Sequence, residues 1–425
     1  MIKNKMKVLF ITAYYTPCHL GWGYMRLCEQ VADGLYERGH QVAVLTSQYV
    51  DGDEVKPYPV HRDLIIDPDW NVSTSAMQQF FVGRRDRENQ AVKRLQEIND
   101  PFQPDIIFIW HGHGLPRKVF QVAENWGKAV YYFANYLPEM PDEYELYWRS
   151  FPNKGLNSFV KRMLAPIALR QLAQEGKPVP LQYTNVVTVS QYVRDRLVND
   201  QLIPPTAVSI PNGIDVDMFW GDVRQVDLEK RPLRCLTAGR LDPTKGFHTV
   251  VEALALLQKE MPLDQLECTI MGGGMASYKE QLVQQVAAAG LQRVIKFRDP
   301  VSITEWANVL DEYDVFILPS EWSEPLASVM LEAMSKGMLM IGTPIGGSGE
   351  VLRHLETGLA FTPGDSQELA EQFKLILNDL NLVTTLAEKG QSFVRQAYNI
   401  NHIVDRIEAY LQNRIGLRLM ETEGQ

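Results

Sequence analysis

Short, unbroken apolar runs that alternate with helical stretches, in two separate series, restrict this chain more than any other feature. Val8-Leu9-Phe10-Ile11-Thr12 shows no polar–apolar alternation, the pattern of a strand covered on both faces. A loop with Pro17, Gly21 and Gly23 follows, then a helical pattern from Tyr24 to Arg38 that stops at Gly39, then a strand from Gln41 to Thr46. Ile106–Trp110, Ala129–Phe133 and Val186–Val189 read as further strands of the same sheet. The stretch from Asn212 to Arg231 is polar and aperiodic, and a second alternation starts at Leu233–Ala238. It continues through Cys268–Met271, Val294–Phe297, Val315–Leu318 and Leu339–Gly342. Apolar strands joined by helices make doubly wound parallel sheets, whose ligands bind beyond the carboxyl ends of the strands. The expected fold class is therefore α/β, with two Rossmann-like doubly wound domains facing a cleft. The expected bounds are 1–212 for the first domain, 213–231 for a linker and 232–397 for the second.

At 425 residues the chain has room for two such domains, each with its own core. A hydrophobic content of 45% with 22% charged residues is that of a soluble globular protein. The net charge of −10 argues against nucleic acid as a bulk electrostatic partner. Cys18, Cys28, Cys235 and Cys268 are scattered, without a Cys-x-x-Cys pair or partnering histidines, so neither a disulfide framework nor a zinc site is expected. A reducing cytoplasm is the simplest setting. The basic opening Met1–Lys7 is followed by an apolar run of only Val8 to Ala13, too short for a secretory core or a membrane span.

The chemistry concentrates after Val315–Leu318 and Pro319-Ser320, in Glu324-Pro325-Leu326-Ala327-Ser328-Val329-Met330-Leu331-Glu332. Proline suits the first position of a helix, so the sequence predicts a helix opening at Pro325, with Glu332 about two turns in. Its first N–H groups, at Leu326, Ala327 and Ser328, would form a phosphate seat flanked by two carboxylates. A nucleotide diphosphate sugar has that shape, with phosphates at one point and hydroxyls on either side. The stretch resembles the Glu-x7-Glu signature of retaining glycosyltransferases of family 4, which have the GT-B fold. Gly239-Arg240-Leu241-Asp242-Pro243-Thr244-Lys245-Gly246 is similar to the family's Gly-Arg-Leu-x-x-x-Lys-Gly segment. Ile210-Pro211-Asn212-Gly213-Ile214-Asp215 with Phe219 resembles its interdomain Pro-Asn-Gly-(Ile/Val)-Asp element. Gly346-Gly347-Ser348-Gly349-Glu350 and Gly364-Asp365 resemble its Gly-Gly-x-x-Glu turn and the Pro-Gly-Asp that follows.

The resemblance implies that Arg240 and Lys245 contact the donor diphosphate, where fixed positive charge stabilises a departing phosphate. It implies that Glu332 binds the ribose hydroxyls and that Glu324 contacts the transferred sugar, although an acidic residue before a helix also serves as a cap. It further implies a last segment, 398–425, that crosses back onto the first domain. Gly21 and Gly23 let backbone approach a phosphate or sugar, but the family usually has adjacent glycines and here Trp22 separates them. In Trp110-His111-Gly112-His113-Gly114 the family's histidine near the sugar can be registered on Trp110, His111 or His113, with His111 favoured and His113 next. Gly272-Gly273-Gly274 lacks the Gly-x-Gly-x-x-Gly spacing and reads as a strand-to-helix turn near the nucleotide, with Gly273 central. Arg298 and Asp299 stand where the family's main chain holds the base.

Three Asp-x-Asp strings (Asp51-Gly52-Asp53, Asp67-Pro68-Asp69, Asp215-Val216-Asp217) are expected by chance among 52 acidic residues, and no metal is assigned. Arg84, Arg85, Arg87, Lys93 and Arg94, and Lys161-Arg162, form basic patches that read as solvated helix faces or as contacts to anionic lipid. The sequence thus predicts a metal-independent hexosyltransferase that retains configuration. It would move sugar from a nucleotide diphosphate donor, expected to be a UDP-sugar, to a hydroxyl of a sugar, glycolipid or lipid-linked oligosaccharide. No cofactor beyond that substrate is expected, and the location is cytoplasmic, with peripheral contact at the inner membrane face. A non-catalytic sugar-nucleotide-binding protein on the same fold is the alternative. A nicotinamide-dependent oxidoreductase lacks its glycine fingerprint after the first strand.

Overall fold

The computed structural model describes residues 5–18, 22–53, 55–67, 75–135, 143–150, 156–175 and 180–423. The chain divides into two compact units, Met1–Thr188 with Arg194–Ile210 and Val404–Gln425, and Val189–Val193 with Pro211–Ile403.

In the first unit β1 (Lys7–Thr12), β2 (Gln41–Ser47), β3 (Val60–Leu64), β4 (Ile106–His111), β5 (Ala129–Phe133), β6 (Val186–Thr188) and β7 (Val208–Ser209) form one parallel sheet. Its order is β3-β2-β1-β4-β5-β6-β7. In the second, β8 (Leu233–Ala238), β9 (Leu266–Met271), β10 (Ile295–Arg298), β11 (Val315–Leu318), β12 (Leu339–Gly342) and β13 (Leu359–Ala360) run parallel in the order β10-β9-β8-β11-β12-β13. Both sheets wind outward in two directions from their first strand. The winding reverses between β1 and β4 in one and between β8 and β11 in the other, where loops part and leave room for a ligand.

The apolar runs explain the cores. Val8, Leu9, Phe10 and Ile11 are fully buried, as are Val315, Phe316 and Ile317. Helices Phe247–Glu260, Ala276–Ala288, Ser366–Asn378 and Leu380–Ala397 bring Leu254, Leu282, Phe373 and Leu386 into the core of the second sheet. Each such side chain contributes about 1.5–3 kcal/mol by leaving water. A separate small cluster joins helices Ser75–Phe81, Glu143–Arg149 and Leu156–Glu175 through Phe80, Tyr144, Tyr147, Trp148, Ala165 and Ala168.

Some boundaries differ from the sequence reading. The first helix is Trp22–Glu37, so Gly23 lies in its first turn instead of in the preceding loop. Residues 213–231, expected as a linker, are built into the second unit. The Asn212 amide donates to Leu326 O and Ser328 Oγ, both at 3.3 Å, and Phe219 is buried. Arg231 grips Asp314 through two bonds of 2.6 and 2.7 Å.

The helix Ile400–Glu423 starts in the second unit, and its residues from Val404 count with the first. Val404, Ile407 and Leu411 are fully buried. Met6 N–H donates to His40 Nδ1 at 3.1 Å, which leaves the ring proton on Nε2, 3.2 Å from Glu408 Oε1.

Candidate active site

Two loops leave the carboxyl ends of the neighbouring strands β8 and β11. The first carries Gly239, Arg240 and Leu241 into a single 3-10 turn, Pro243–Lys245. Asp242 starts that turn, accepting from Thr244 Oγ1 at 2.6 Å and from Thr244 N–H at 3.0 Å. The Thr244 hydroxyl, aided by its amide, holds the Asp242 carboxyl below the usual carboxylate range. Proline at the first position needs no N–H there. Gly246 closes the turn at φ +69°, where any Cβ would lie 1.9 Å from Pro319 O. Only glycine permits that crossing.

The crossing puts the second loop on the first. Glu321 and Trp322 N–H groups both donate to Thr244 O, at 2.9 and 3.2 Å. Lys245 then reaches Glu324: its Nζ pairs with Glu324 Oε1, which also accepts from Ser320 Oγ at 2.9 Å. Glu324 is only 8% exposed, so its charge depends on this cation and hydroxyl for compensation. Glu321 ties the loops once more, 3.0 Å from His248 Nε2 and accepting from Thr249 Oγ1 at 3.2 Å. His248 Nδ1 in turn meets the Tyr278 hydroxyl at 2.9 Å. Burial pushes that phenol up to about 12, so it stays protonated.

The helix after Glu324 opens later than the sequence suggested. Glu324 pairs with Gly346 as an isolated parallel bridge, and Gly347 N–H donates to Glu324 O at 2.7 Å. A Cβ on Gly347 would lie 1.8 Å from Pro325 O. This pairing holds Pro325 and Leu326 out of the helix, which runs Ser328–Ser335 with Ala327 at its N-cap and no side-chain cap. Leu326 and Ala327 are buried ahead of the helix, and Ser328 is its first residue. Glu332 therefore sits about one turn in, not two. It accepts from Trp306 Nε1 at 2.7 Å. Trp306 lies on the helix Ile303–Leu310, held at its start by a Ser302–Glu305 capping box.

Arg240 projects outward, its side chain 70% exposed and 3.6 Å from Asp242 Oδ2. Gly273 acts through its carbonyl, which accepts from Leu241 N–H at 2.8 Å and ties the β9 turn to the lysine loop. Arg298 ends β10. Its carbonyl accepts from Gly272 N–H at 3.1 Å while its side chain pairs with Glu312 at 2.9 Å. The geometry thus brings Lys245, Glu324 and Gly273 together through direct bonds or a shared loop, with Arg240 on the same loop and Ser328 and Glu332 on the next helix. The bonding of Glu321, His248 and Trp306 to these loops was not foreseen. No local pattern announces it, since His248 and Glu321 lie far apart in sequence.

In the first unit, Gly21 lies outside the described residues. His111 is the last residue of β4, paired in register with Thr12. His113 follows on the turn, half-buried, and burial lowers its imidazole pKa. Asp67 N–H donates to Gly114 O at 2.8 Å, and the Asp67 carboxylate accepts from Arg87 at 2.7 Å and from the Tyr144 hydroxyl. Asp215 Oδ1 caps its own loop, accepting from Asp217 and Met218 N–H at 3.1 and 3.0 Å. Pro68 and Asp69 lie outside the described residues. Among the described residues, no group of three or more His, Cys, Asp or Glu is arranged to hold a metal ion.

The basic residues of the first patch are largely engaged. Arg84 pairs with Glu175, and Arg94 with Asp63 at 2.7 Å. Lys161 is buried, donating to Ser150 O at 2.6 Å. Among the described residues no helix is long and apolar enough to cross a membrane.

Residues 220–393 match the model of Glycosyl transferases group 1, and residues 23–218 match that of Glycosyltransferase Family 4. The chain belongs to glycosyltransferase family 4. The D-inositol 3-phosphate glycosyltransferase of Arthrobacter sp. (strain FB24) is 29% identical over 174 residues, 40% of this chain and 41% of that protein. The chain therefore matches less than half of that relative's length. Among solved structures, a glycosyltransferase from Rickettsia africae ESF-5 aligns with a TM-score of 0.70 at 19% identity, covering 97% of this chain and 99% of that one. Anabaena Alr3699/HepE in complex with UDP-glucose aligns with a TM-score of 0.64 at 20% identity, covering 96% and 100%. Both likenesses are of fold, and the fold of this family 4 chain is GT-B.

Proposed function

We propose that the chain is a retaining, metal-independent glycosyltransferase that moves a sugar from a UDP-sugar to a hydroxyl group in polysaccharide, glycolipid or other glycoconjugate synthesis. The observation that carries this reading is the meeting of Lys245 and Glu324 at the switch point of the second sheet, beside a helix start that has no side-chain cap. Lys245 and the exposed Arg240 supply fixed positive charge to the departing diphosphate, and the N–H groups at the start of Ser328–Ser335 supply more. Glu332, held by Trp306, takes the ribose hydroxyls. Glu324 hydrogen-bonds the transferred sugar. Because Lys245 and Ser320 already occupy one of its oxygens, it orients the sugar and is not assigned as a nucleophile. The bond from the anomeric carbon to phosphate then breaks as the bond to the acceptor oxygen forms on the same face. The acceptor proton goes to the leaving phosphate.

Proton NMR of fresh product tests this. The product anomer keeps the donor's configuration, and an inverted anomer rejects the mechanism. A melting-temperature panel of uridine, guanosine and adenosine diphosphate sugars tests the base, since a ligand that binds only the folded state raises the melting point. Transfer should survive chelator. Loss of activity that Mg²⁺ or Mn²⁺ restores would overturn the metal-independent reading.

A further inference from the structure

The helix Leu156–Glu175 is apolar on two faces. One carries Ala165 and Ala168, with Leu164 and Leu169 packed on the small cluster around Trp148. The other carries Phe159, Met163 and Ile167, spaced by four residues and 65%, 65% and 58% exposed, with Val160 beside them. Residues four apart lie one above another on a helix, so these side chains form one outward stripe. A surface helix ordinarily turns charged and polar residues to solvent. Scattered apolar residues need no explanation, but a continuous stripe marks a contact surface.

The charges say what covers it. From Leu156 to Gln174 the helix holds Lys161, Arg162 and Arg170 and no carboxylate, within a chain of net charge −10. Lys161 is turned inward, 3.7 Å from the Tyr147 ring. Arg162 and Arg170 are exposed, and helical periodicity puts Arg170 within the stripe and Arg162 on its edge. An apolar stripe bordered by arginines complements the boundary between acyl chains and anionic headgroups. A second copy fits poorly: a two-fold contact would bring arginines together on a face with no carboxylate to pair them. The geometry points to this helix as a docking surface for an anionic phospholipid bilayer, through Phe159, Met163 and Ile167 with Arg162 and Arg170 at headgroup level. This surface is independent of the donor site, so it can stand or fail apart from the proposed reaction.

Flotation of the full chain with phosphatidylcholine vesicles, with and without phosphatidylglycerol, tests the proposal. The parent should float with the anionic vesicles, less so as salt rises, and stay behind with the neutral ones. The triple variant Phe159→Ser, Met163→Ser, Ile167→Ser should lose flotation while keeping the parent's melting temperature and donor-induced shift. Arg162→Gln and Arg170→Gln should each weaken binding about five-fold, the effect of one basic residue at a charged membrane. A parent that fails to float overturns the proposal, as does a triple variant that floats like the parent. A parent dimer in sedimentation that the triple variant dissolves, with no flotation by either, reassigns the stripe to a second copy.

Discussion

The two sheets share one winding but fill their centres differently. Around the switch point of the first, Phe10, Phe108, Trp110 and Tyr132 lie ring against ring, with Trp110 stacked on Tyr132 at 4.1 Å. In the second, Cys235, Cys268, Ile270, Val315 and Ile317 pack with Phe247 and Phe373, and the loops above them carry the charged residues Lys245, Glu324 and Glu321. Topology gives each sheet a place for a ligand, and residue chemistry decides which kind. A phosphate needs cations and N–H groups fixed in advance. The Lys245–Glu324 pair, Gly246 and Gly347 supply that rigidity on the second sheet.

The strongest test of this contrast is Trp110→Ala. Removing a buried, stacked indole should cost about 3–5 kcal/mol of stability. Donor affinity of the remaining folded protein, by calorimetry, should not change. A weakened donor constant would mean that the first sheet also builds the donor site. Lys245→Ala should act the other way, lowering transfer by about 10² or more, because its charge serves the departing diphosphate in the transition state. Turnover equal to the parent's in a radiolabel assay would remove Lys245 from the chemistry.

Glu332→Ala is expected to raise the donor KM by about ten-fold with a smaller change in kcat, since ribose contacts act equally in ground and transition states. A fall in kcat alone contradicts the ribose role. The smallest effect concerns His113. Burial lowers its pKa in the folded chain, so below the ordinary histidine value of about 6.5 the unfolded state binds more protons. Its contribution to stability is thus retained above that pH and falls as pH drops toward the folded pKa. His113→Gln should flatten the acid side of the stability curve in that window, read from urea midpoints. An unchanged slope places the titration elsewhere.

Strands buried on both faces were legible because they are continuous apolar runs, and β1, β8 and β11 lie within a residue of their expected places. The strand Val60–Leu64 was not, since Val-His-Arg-Asp-Leu at a sheet edge is half polar and keeps three residues only partly buried. The two-residue strands β7 and β13 carry too little pattern to read. The candidate site could be read where its motif is local: Arg240, Lys245, Glu324 and Glu332 are proposed from two short stretches of sequence. Its bracing was not. The late start of the helix at Ser328 follows from the pairing of Glu324 with Gly346, and Glu332 meets Trp306 from another helix. Such contacts depend on strands settling side by side, which no local window contains.

The first unit is not contiguous in the chain: apart from Val189–Val193 it takes residues up to Ile210, and then Val404 onward. On the ribosome this fixes a timetable. At about 5–20 residues per second, the intervening stretch takes roughly ten to forty seconds to make. Throughout that interval Gly34, Arg38 and His40 lack the helix that brings Val404 and Glu408 to them. The second unit, almost entirely contiguous, can be finished first, so the unit whose first strand is made earlier is the one that completes its core last.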